Sequence, residues 1–360
     1  MGNNYALCKV LKKRRSNLTL DKSACILYRA AGKWTGWGTE MRFGLTELTI
    51  ELLQSCPNAC LFCSSLATRD SSVALSVQEV LDVAAQAKEL GLWQISLSGG
   101  EPLCHPDLAR IISALSTLPL SVSLYTTGIR LEQNRAVAFT DWKKVLISDT
   151  KLIFNVQSTV PEVHDHLVGR LGALELTKQS LCSAISDGIH VEAHIIPTKI
   201  NLGSIEKTVD DLSALGVKQI SFLRLVPQGY ARQHLHELRL TEGEANRLRL
   251  ILASLKDNCQ KARIRLGIPL SGFIGTRSEC NAGHNKLIIR YDGKVLPCEA
   301  FKDCGEERFV LGDIRQERIS GLLRRALTSD DLACLKRRAI LGETCPAQVF
   351  YACSGSHLTP

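Results

Sequence analysis

The sequence predicts an α/β fold, a partial (β/α)6 barrel on a parallel sheet, followed by a small cysteine-rich C-terminal extension. From residue 45 onward, short apolar segments of strand length alternate with longer segments of helical periodicity, a pattern typical of parallel sheets. Apolar residues make up 45% of the chain, which is enough for a substantial core. From residue 280 the helical periodicity gives way to short strands and cysteines, which indicates the extension.

The individual elements follow from periodicity and from capping signals. Six strands are predicted at residues 47–53, 94–97, 121–125, 152–157, 190–196 and 219–226, and helices at 77–90, 106–115, 173–187, 204–215 and 240–265. Ser76 with Glu79, and Thr241 with Glu244, form the spacing of a capping box at a helix start. Because active sites of such sheets lie beyond the carboxyl ends of the strands, we expect the functional residues there.

Length and composition divide the chain into three predicted parts, an N-terminal extension at 1–44, the barrel core at 45–265 and the extension at 266–360. The net charge of +8 is spread along the chain apart from a basic run at 12–15, so the charge alone does not identify a partner, and nucleic acid is not the expected one. No stretch reaches eighteen consecutive apolar residues, and none predicts a membrane span. The start lacks the pattern of a signal peptide, so the fourteen cysteines indicate a reducing cytoplasm.

Three cysteines, Cys56, Cys60 and Cys63, follow the first predicted strand within eight residues. Thiolate groups at this spacing select zinc, copper(I) or an iron–sulfur cluster. A structural zinc loop is the alternative reading, but zinc sites use matched pairs of ligands and no second pair at that spacing follows. Three thiolates leave a four-iron cluster one ligand short, so its fourth iron is free to hold a substrate or cofactor.

With Phe62 directly before the last cysteine, this stretch resembles the signature of the radical S-adenosylmethionine (SAM) enzymes. The resemblance implies a SAM-binding 4Fe-4S cluster on the three cysteines and reductive cleavage of SAM to a 5′-deoxyadenosyl radical. The second strand runs into a glycine-rich turn that is similar to the family's GGEP motif, and this turn implies contacts with the methionine end of SAM from Ser98, Gly99, Gly100, Glu101 and Pro102. An ordinary tight turn is the alternative for that stretch.

Further candidates for SAM contacts lie at the ends of later predicted strands, and they are Thr126, Asn155, Ser158, His194 and Val226. Asn155 stands where the family commonly has serine. A purely structural role is the alternative for the polar strand ends and for His194 in particular, because a lone strand histidine is more often structural than a ligand. No residue is identified as the catalytic acid or base.

The C-terminal cysteines give a second signal. Asp292 and Gly293 between apolar runs predict a hairpin that brings Cys280 and Cys298 near each other. This resembles the opening of the SPASM and twitch extensions of radical SAM enzymes, in shortened form. The resemblance implies one auxiliary 4Fe-4S cluster, which we assign to Cys280, Cys298, Cys345 and Cys353, with Cys304 and Cys334 as possible substitutes. Zinc bound by four thiolates is the alternative.

The first functional hypothesis is hydrogen abstraction from a peptide or protein side chain, as in the maturation of ribosomally made peptides, because SPASM-type extensions accompany such enzymes. The second is a radical SAM dehydrogenase or synthase that acts on a small molecule or cofactor precursor. A third, of another class, is a cysteine-rich zinc or iron–sulfur protein that binds nucleic acid. The enzyme hypotheses imply a peptide or small-molecule substrate and an external electron donor such as flavodoxin or ferredoxin.

Overall fold

The structure is a computed structural model that describes residues 44–146, 150–267, 270, 280–302, 307–341 and 345–353. All described residues belong to one unit of the chain, Phe43–Pro360. The predicted N-terminal extension and its basic run therefore lie outside the described residues, as does Cys304. Cys353 is described only as the last residue of a helix, without its side chain.

The main feature of the fold is a ten-stranded sheet, as far as the described residues show it, in the order β12-β11-β10-β1-β2-β3-β6-β7-β8-β9. Its neighbours from β10 to β9 pair in parallel, whereas β11 and β12 are antiparallel. The strands are β1 (Glu47–Glu51), β2 (Gln94–Ser98), β3 (Ser121–Thr126), β4 (Ile129–Glu132), β5 (Arg135–Ala138), β6 (Lys151–Asn155), β7 (Val191–Ile195), β8 (Gln219–Phe222), β9 (Arg263–Leu266), β10 (Lys286–Ile289), β11 (Lys294–Leu296) and β12 (Gly312–Asp313).

Helices connect the parallel strands, and three further described helices follow the last strand. They are α1 (Val77–Glu89), α2 (Leu108–Leu115), α3 (Trp142–Val145), α4 (Pro161–Val168), α5 (Ala173–Ser186), α6 (Ile205–Leu215), α7 (Tyr230–Gln233), α8 (Leu235–Leu238), α9 (Glu242–Asn258), α10 (Ile319–Leu327), α11 (Asp330–Leu341) and α12 (Pro346–Cys353). No helix in these described ranges has the length and apolar character needed to cross a membrane.

The predicted α/β fold is confirmed, and the six predicted strands correspond to β1, β2, β3, β6, β7 and β8. Both predicted capping boxes are present, at Ser76 with Glu79 and at Thr241 with Glu244. The helix predicted over 240–265 is wrong at its end, because α9 stops at Asn258 and residues 263–266 form β9. Strand pairing with β8 along four residues decides the conformation of this short segment.

Side chains on the parallel strands alternate between two faces. Leu48 and Ile50 of β1 join the main apolar core beneath the helices, whereas Glu47, Thr49 and Glu51 lie on the opposite face, which we call the inner face. The same alternation on the other strands makes the inner face predominantly polar. Polar groups on the concave side of such a sheet are where ligands bind.

The charges that act on Tyr125, on the inner face of β3, indicate that the sheet is curved. Its pKa is raised to about 12 by burial, and it also senses the charges of Lys286 on β10 and of Arg265 on β9. In a flat sheet, strands about 4.8 Å apart would put β10 about 14 Å and β9 about 19 Å from β3. The inner faces of distant strands therefore converge around Tyr125, as expected for a partial barrel.

The C-terminal part of the chain continues the same sheet. β10 pairs in parallel with β1, and the predicted hairpin is confirmed as β10 and β11 with Gly293 at a φ of +87° in its turn. Gly312 and Asp313 form β12 against β11. The boundary that the sequence predicts at about residue 265 stays a prediction.

A buried ion pair fastens this C-terminal part to the end of β1. Lys302 Nζ lies 2.5 Å from Glu51 Oε1, and their side chains are 8% and 0% exposed. Ser65 donates a short hydrogen bond to the same carboxylate oxygen and lies 3.0 Å from Lys302 Nζ. Glu51 is the last residue of β1, so this contact sits directly beneath the loop that carries the three cysteines.

We predict that Lys302→Met lowers the free energy of unfolding by about 3–5 kcal/mol, because it leaves the carboxylate of Glu51 buried without a counter-charge. The measurement is urea unfolding under anaerobic conditions. Lys207→Met is the matched control, since its ion pair with Asp211 is exposed at 62% and 37% and contributes about 0.5 kcal/mol or less. Adding Glu51→Gln to Lys302→Met should recover most of the loss. Equal losses for Lys302→Met and the control would contradict this prediction.

Candidate functional site

The three cysteines of the first motif meet in one buried loop after β1. Cys56 is 6% exposed, and Cys60 and Cys63 are partly buried. Burial raises the pKa of Cys56, and the neighbouring charge of Cys60 raises it further. Burial likewise raises the pKa of Cys60, with Cys63 as the next cause. Three thiolates this close together are unstable unless a cationic group compensates their charge.

The backbone of this loop is held by the carboxyl end of α4. Ala59 N donates to the carbonyl of Val168 and Leu61 N to that of Leu167, each at 3.0 Å. These carbonyls are among those that a helix end leaves without partners inside the helix. The cysteine loop therefore completes the end of α4, and α4 in turn fixes the shape of the loop.

Arg170, just beyond α4, grips the same loop through its side chain. Its Nε lies 2.8 Å from the carbonyl of Pro57 and 3.1 Å from Asn58 Oδ1, and its Nη2 also bonds the Pro57 carbonyl. The charge of Cys56 acts on the guanidinium as well, which places Arg170 beside the first thiol. Arg170 thus both positions the loop and supplies positive charge to it.

The glycine-rich turn after β2 packs directly against the start of the cysteine loop. Gly100 N donates to the carbonyl of Leu53 at 2.6 Å, and Glu101 N donates to that of Ser55 at 2.8 Å. A Cβ on Gly99 would lie 2.5 Å from the Leu53 carbonyl oxygen, and one on Gly100 would overlap that of Ser55. The glycines therefore allow two loop backbones to touch, and the amide of Gly100 is occupied by this contact.

Glu101 joins this pair of loops to the end of β3. It is fully buried, and its carboxylate accepts hydrogen bonds from the hydroxyls of Thr126 and Thr127 at 2.6 and 2.7 Å. It also accepts from Thr127 N at 2.7 Å and from Leu103 N at 3.1 Å. Burial raises the pKa of Glu101 in spite of these bonds. All four lone-pair positions of the carboxylate are thus used within the protein.

Besides its three thiols, the loop has hydrogen-bond donors that fit an iron–sulfur cluster. The amide of Asn58 hydrogen-bonds to the sulfur of Cys56 and lowers its pKa against the effect of burial. Asn58 is 5% exposed, and its side-chain Nδ2 has no hydrogen-bond partner among the described residues. Donors aimed at sulfur are how proteins stabilise such clusters. No three His, Cys, Asp or Glu side chains of the described residues are arranged to hold a single metal ion.

Two of the predicted SAM contacts, Asn155 and His194, lie side by side on the inner face at the carboxyl ends of β6 and β7. His194 is 3% exposed and packs its ring edge-on to Tyr125, with centroids 5.3 Å apart. Ser98 ends β2 beside Glu51, on the same face. All three residues therefore lie on the inner face at the carboxyl ends of their strands.

The structure gives other predicted contacts internal partners. Ser158 is fully buried, and its hydroxyl bonds Ser204 Oγ at 2.8 Å and the amide of Val160 at 3.0 Å. Phe62 packs into apolar clusters formed by the residues around α4 and α7. Pro102 is buried at the start of a short 3-10 turn. The side chain of Glu101 caps this turn by accepting a hydrogen bond from Leu103 N. SAM contacts by these residues stay predictions.

Three of the four predicted auxiliary ligands come together at the far side of the hairpin. Cys280, Cys298 and Cys345 all pack against a second apolar cluster, and Val226 packs against the same cluster. Burial raises the pKa of Cys298 to about 12, and the charge of Cys345 acts on both other thiols. The hairpin causes this proximity, since Gly283 N donates to the carbonyl of Pro297 at 2.9 Å.

Two cations flank these three cysteines. Arg224 Nη2 lies 2.7 Å from Cys345 Sγ, and its buried Nη1 has no partner among the described residues. Lys336 on α11 acts electrostatically on Cys280 and Cys298, and burial lowers its own pKa. Arg224 also lines a cavity of about 320 Å³ beyond the end of β8, whose walls are mostly leucine and proline. An anionic group held by the three thiols would be compensated by these charges.

Sequence reasoning missed the contacts that Arg170, Lys302 and Arg224 make, because no local pattern identifies their partners. Each contacts a cysteine loop that lies far away in the chain: Arg170 is 113 positions from Pro57, and Arg224 is 121 positions from Cys345. The sequence offers no local signal for Arg170, which lies between the predicted strand at 152–157 and the predicted helix at 173–187.

Comparison with known proteins agrees with both cysteine motifs. Residues 50–212 match the sequence profile of the Radical SAM superfamily, and residues 280–346 match that of SPASM, an iron–sulfur cluster-binding domain. The chain is 26% identical over 253 residues to a PqqA peptide cyclase of Rhizobium meliloti (strain 1021). That match covers 69% of this chain and 66% of the relative, so it spans just under two thirds of the relative's length.

Solved structures share the fold. Streptococcus suis SuiB bound to its precursor peptide SuiA superposes with a TM-score of 0.65 at 16% identity, covering 87% of this chain and 80% of SuiB. SuiB bound to S-adenosylmethionine gives a TM-score of 0.64 at 18% identity, covering 80% of this chain and 66% of that one. At this level of identity the likeness concerns the fold alone.

We predict that Gly100→Ala prevents assembly of the cysteine loop, because the added Cβ has to displace a backbone carbonyl, at a cost of about 3 kcal/mol or more. Iron and sulfide analysis after anaerobic reconstitution should show less of both in this variant. Gly203→Ala is the matched control, since a Cβ there meets nothing within 4 Å. Wild-type iron and sulfide contents in Gly100→Ala would show that the two loops need not touch.

Proposed function

Because the chain contains a radical SAM domain followed by an iron–sulfur cluster-binding SPASM domain, we propose that it is a radical SAM enzyme that abstracts hydrogen from a peptide or protein side chain. The convergence of Cys56, Cys60 and Cys63 in one buried loop is the observation that carries this proposal. A SAM-binding 4Fe-4S cluster on these thiols would leave its fourth iron for SAM.

When bound, the reduced cluster supplies one electron that cleaves SAM to methionine and a 5′-deoxyadenosyl radical, which takes a hydrogen atom from the substrate. The protein's part is to shape and shield that space. Glu101 locks the turn after β2 against β3, so the backbone of Gly99 and Gly100 is rigid where we propose the methionine end of SAM to lie. Asn155 would border SAM, and His194 lies beside it on the neighbouring strand.

We further propose that Cys280, Cys298 and Cys345, with Cys353 as fourth ligand, hold one auxiliary 4Fe-4S cluster. The mutual influence of the first three thiols supports this assignment, as does the match of residues 280–346 to an iron–sulfur cluster-binding domain. The proximity of Arg224 and Lys336 favours a reduced, more negative cluster. Such a cluster can accept the electron that a substrate radical releases when it is oxidised.

A peptide substrate is favoured over a small molecule by the character of the similar proteins. The relative from Rhizobium meliloti is named a PqqA peptide cyclase, and one solved neighbour is bound to a precursor peptide. A reducing compartment such as the cytoplasm would keep the cysteines of both proposed cluster sites available as thiols. An external reductant such as flavodoxin or ferredoxin would supply the first electron.

Substitution of the two cysteine sets should have different effects on iron content and on SAM cleavage. We predict that a Cys56→Ala, Cys60→Ala, Cys63→Ala variant forms no 5′-deoxyadenosine from SAM and dithionite, because no cluster holds SAM. A Cys280→Ala, Cys298→Ala variant should lose about half its iron, if each site binds one cluster of the same size, yet still cleave SAM. Cys182→Ala on α5 is the control, since Cys182 packs against the apolar core. Unchanged iron in the second variant would refute the auxiliary site.

The substrate class is tested with the reconstituted protein, SAM and dithionite, and a short peptide encoded next to its gene. We predict that the peptide loses two hydrogen atoms in a SAM-dependent reaction, which mass spectrometry of the product detects. The Cys280→Ala, Cys298→Ala variant should leave the peptide unmodified. SAM cleavage that no peptide stimulates, together with oxidation of a small metabolite, would instead support a radical SAM dehydrogenase.

A further inference from the structure

Four polar residues form one row across the inner face of the sheet. Asn155 on β6 pairs in register with His194 on β7, His194 with Ser221 on β8, and Ser221 with Arg265 on β9. With strands about 4.8 Å apart, the Cα atoms of His194 and Arg265 are about 10 Å apart, a gap that an arginine side chain spans. The row runs from the proposed SAM site to the edge strand β9.

His194 is the unusual member of this row. Its ring is 3% exposed, yet neither Nδ1 nor Nε2 has a hydrogen-bond partner among the residues that the structure describes. The ring belongs to the inner face, because its neighbours Ala193 and Ile195 are in the main core beneath the helices. Buried polar groups are nearly always bonded, and leaving one without a partner costs about 1–3 kcal/mol. A bound ligand is the natural partner for such a ring.

The charges around His194 indicate which ligand fits. Lys151 is neutralised by Glu192, whose Oε1 lies 3.1 Å from its Nζ. Arg263 and Arg265 on β9 are exposed, and no described carboxylate lies within ion-pair distance of either. Burial lowers the pKa of His194 to about 3, and the charges of Arg265 and Lys151 add to this effect, so the ring is neutral near pH 7. This side of the inner face therefore carries an excess of positive charge and a neutral N–H donor.

We propose that His194 and Arg265 bind a carboxylate of the substrate, supplied by an acidic side chain of the peptide. The guanidinium would bond both carboxylate oxygens, and the imidazole N–H would donate to one of them. Because Asn155 stands at the SAM end of the row, the acidic residue would lie next to the carbon that is attacked. The identity of the ligand as a peptide rests on the proposed function, whereas the carboxylate site rests on this row alone.

The carboxylate could also come from SAM itself, and the experiment distinguishes the two sources. The probes are N-acetyl-glutamate amide, which presents one side-chain carboxylate, and its neutral analogue N-acetyl-glutamine amide. Both are titrated into the reconstituted protein with SAM bound, and saturation-transfer NMR gives their affinities. Equilibrium dialysis gives the affinity of each protein for SAM without either probe.

We predict that the capped glutamate binds at least about tenfold more tightly than the capped glutamine, in line with a charge-assisted hydrogen bond. Arg265→Gln and His194→Leu should each remove that preference, and Arg265→Lys should keep part of it because the charge remains. Arg247→Gln, an exposed charge on α9, is the control and should preserve the preference. In ¹⁵N-histidine spectra, the capped glutamate should shift the signal that His194→Leu removes.

Equal affinities of the two probes for the wild-type protein would overturn the proposal. A loss of SAM affinity in Arg265→Gln as large as its loss of capped-glutamate affinity would also overturn it, because the carboxylate would then belong to SAM. Formation of 5′-deoxyadenosine by the wild-type protein tests the proposed function separately. The carboxylate site can therefore fail while the radical chemistry stands.

Discussion

The direct contact between two loop backbones, one after β1 and one after β2, is the constraint on which the rest of the site depends. Gly100 has no Cβ, so the turn after β2 can rest on the carbonyls of Leu53 and Ser55. Glu101 then ties this turn to Thr126 and Thr127 through a fully occupied carboxylate. Three strand ends are thereby locked together, and the cysteine loop inherits a fixed shape before any cofactor binds. Rigid support of this kind is what precise chemistry at a cofactor requires.

The fold was largely predictable because its signals are local. The parallel strands alternate with helices, and the two capping boxes that the sequence predicts are both present. One failure is a segment whose conformation depends on a distant partner, and another is a tight turn without its usual glycine. Residues 263–266 pair with β8 although they follow a long helix. The hairpin of β4 and β5 turns at Gln133 and Asn134, whose φ angles are +46° and +65°. Such turns usually contain glycine, and without it the sequence gives no signal of the turn.

The site was predictable only where chemistry imposes a spacing. The cysteines of the first loop are close in sequence because one loop has to present three thiols, whereas the groups that hold the loop are free to come from anywhere. Arg170 bonds to Pro57 across 113 positions of sequence. The pairing of β7 with β8, and of β8 with β9, puts His194 and Arg265 in the same row. No single-sequence pattern encodes such a meeting, because parallel strands bring together residues whose separation depends on the length of each crossover. The glycines after β2 were recognised from their motif as a binding turn for SAM. In the structure they allow this turn to contact the backbone of the cysteine loop.

The ion pair between Glu51 and Lys302 has a consequence for how the protein is assembled. The two residues are 251 positions apart, and β10, which precedes Lys302, pairs with β1 at the start of the sheet. During synthesis, the first cysteine loop is therefore made long before the segment that carries Lys302. The ion pair can therefore form only after Lys302 has been made, and β10 joins β1 at a late stage of synthesis. The long separation in sequence thus makes the support of the first cysteine loop depend on a segment that is synthesised late.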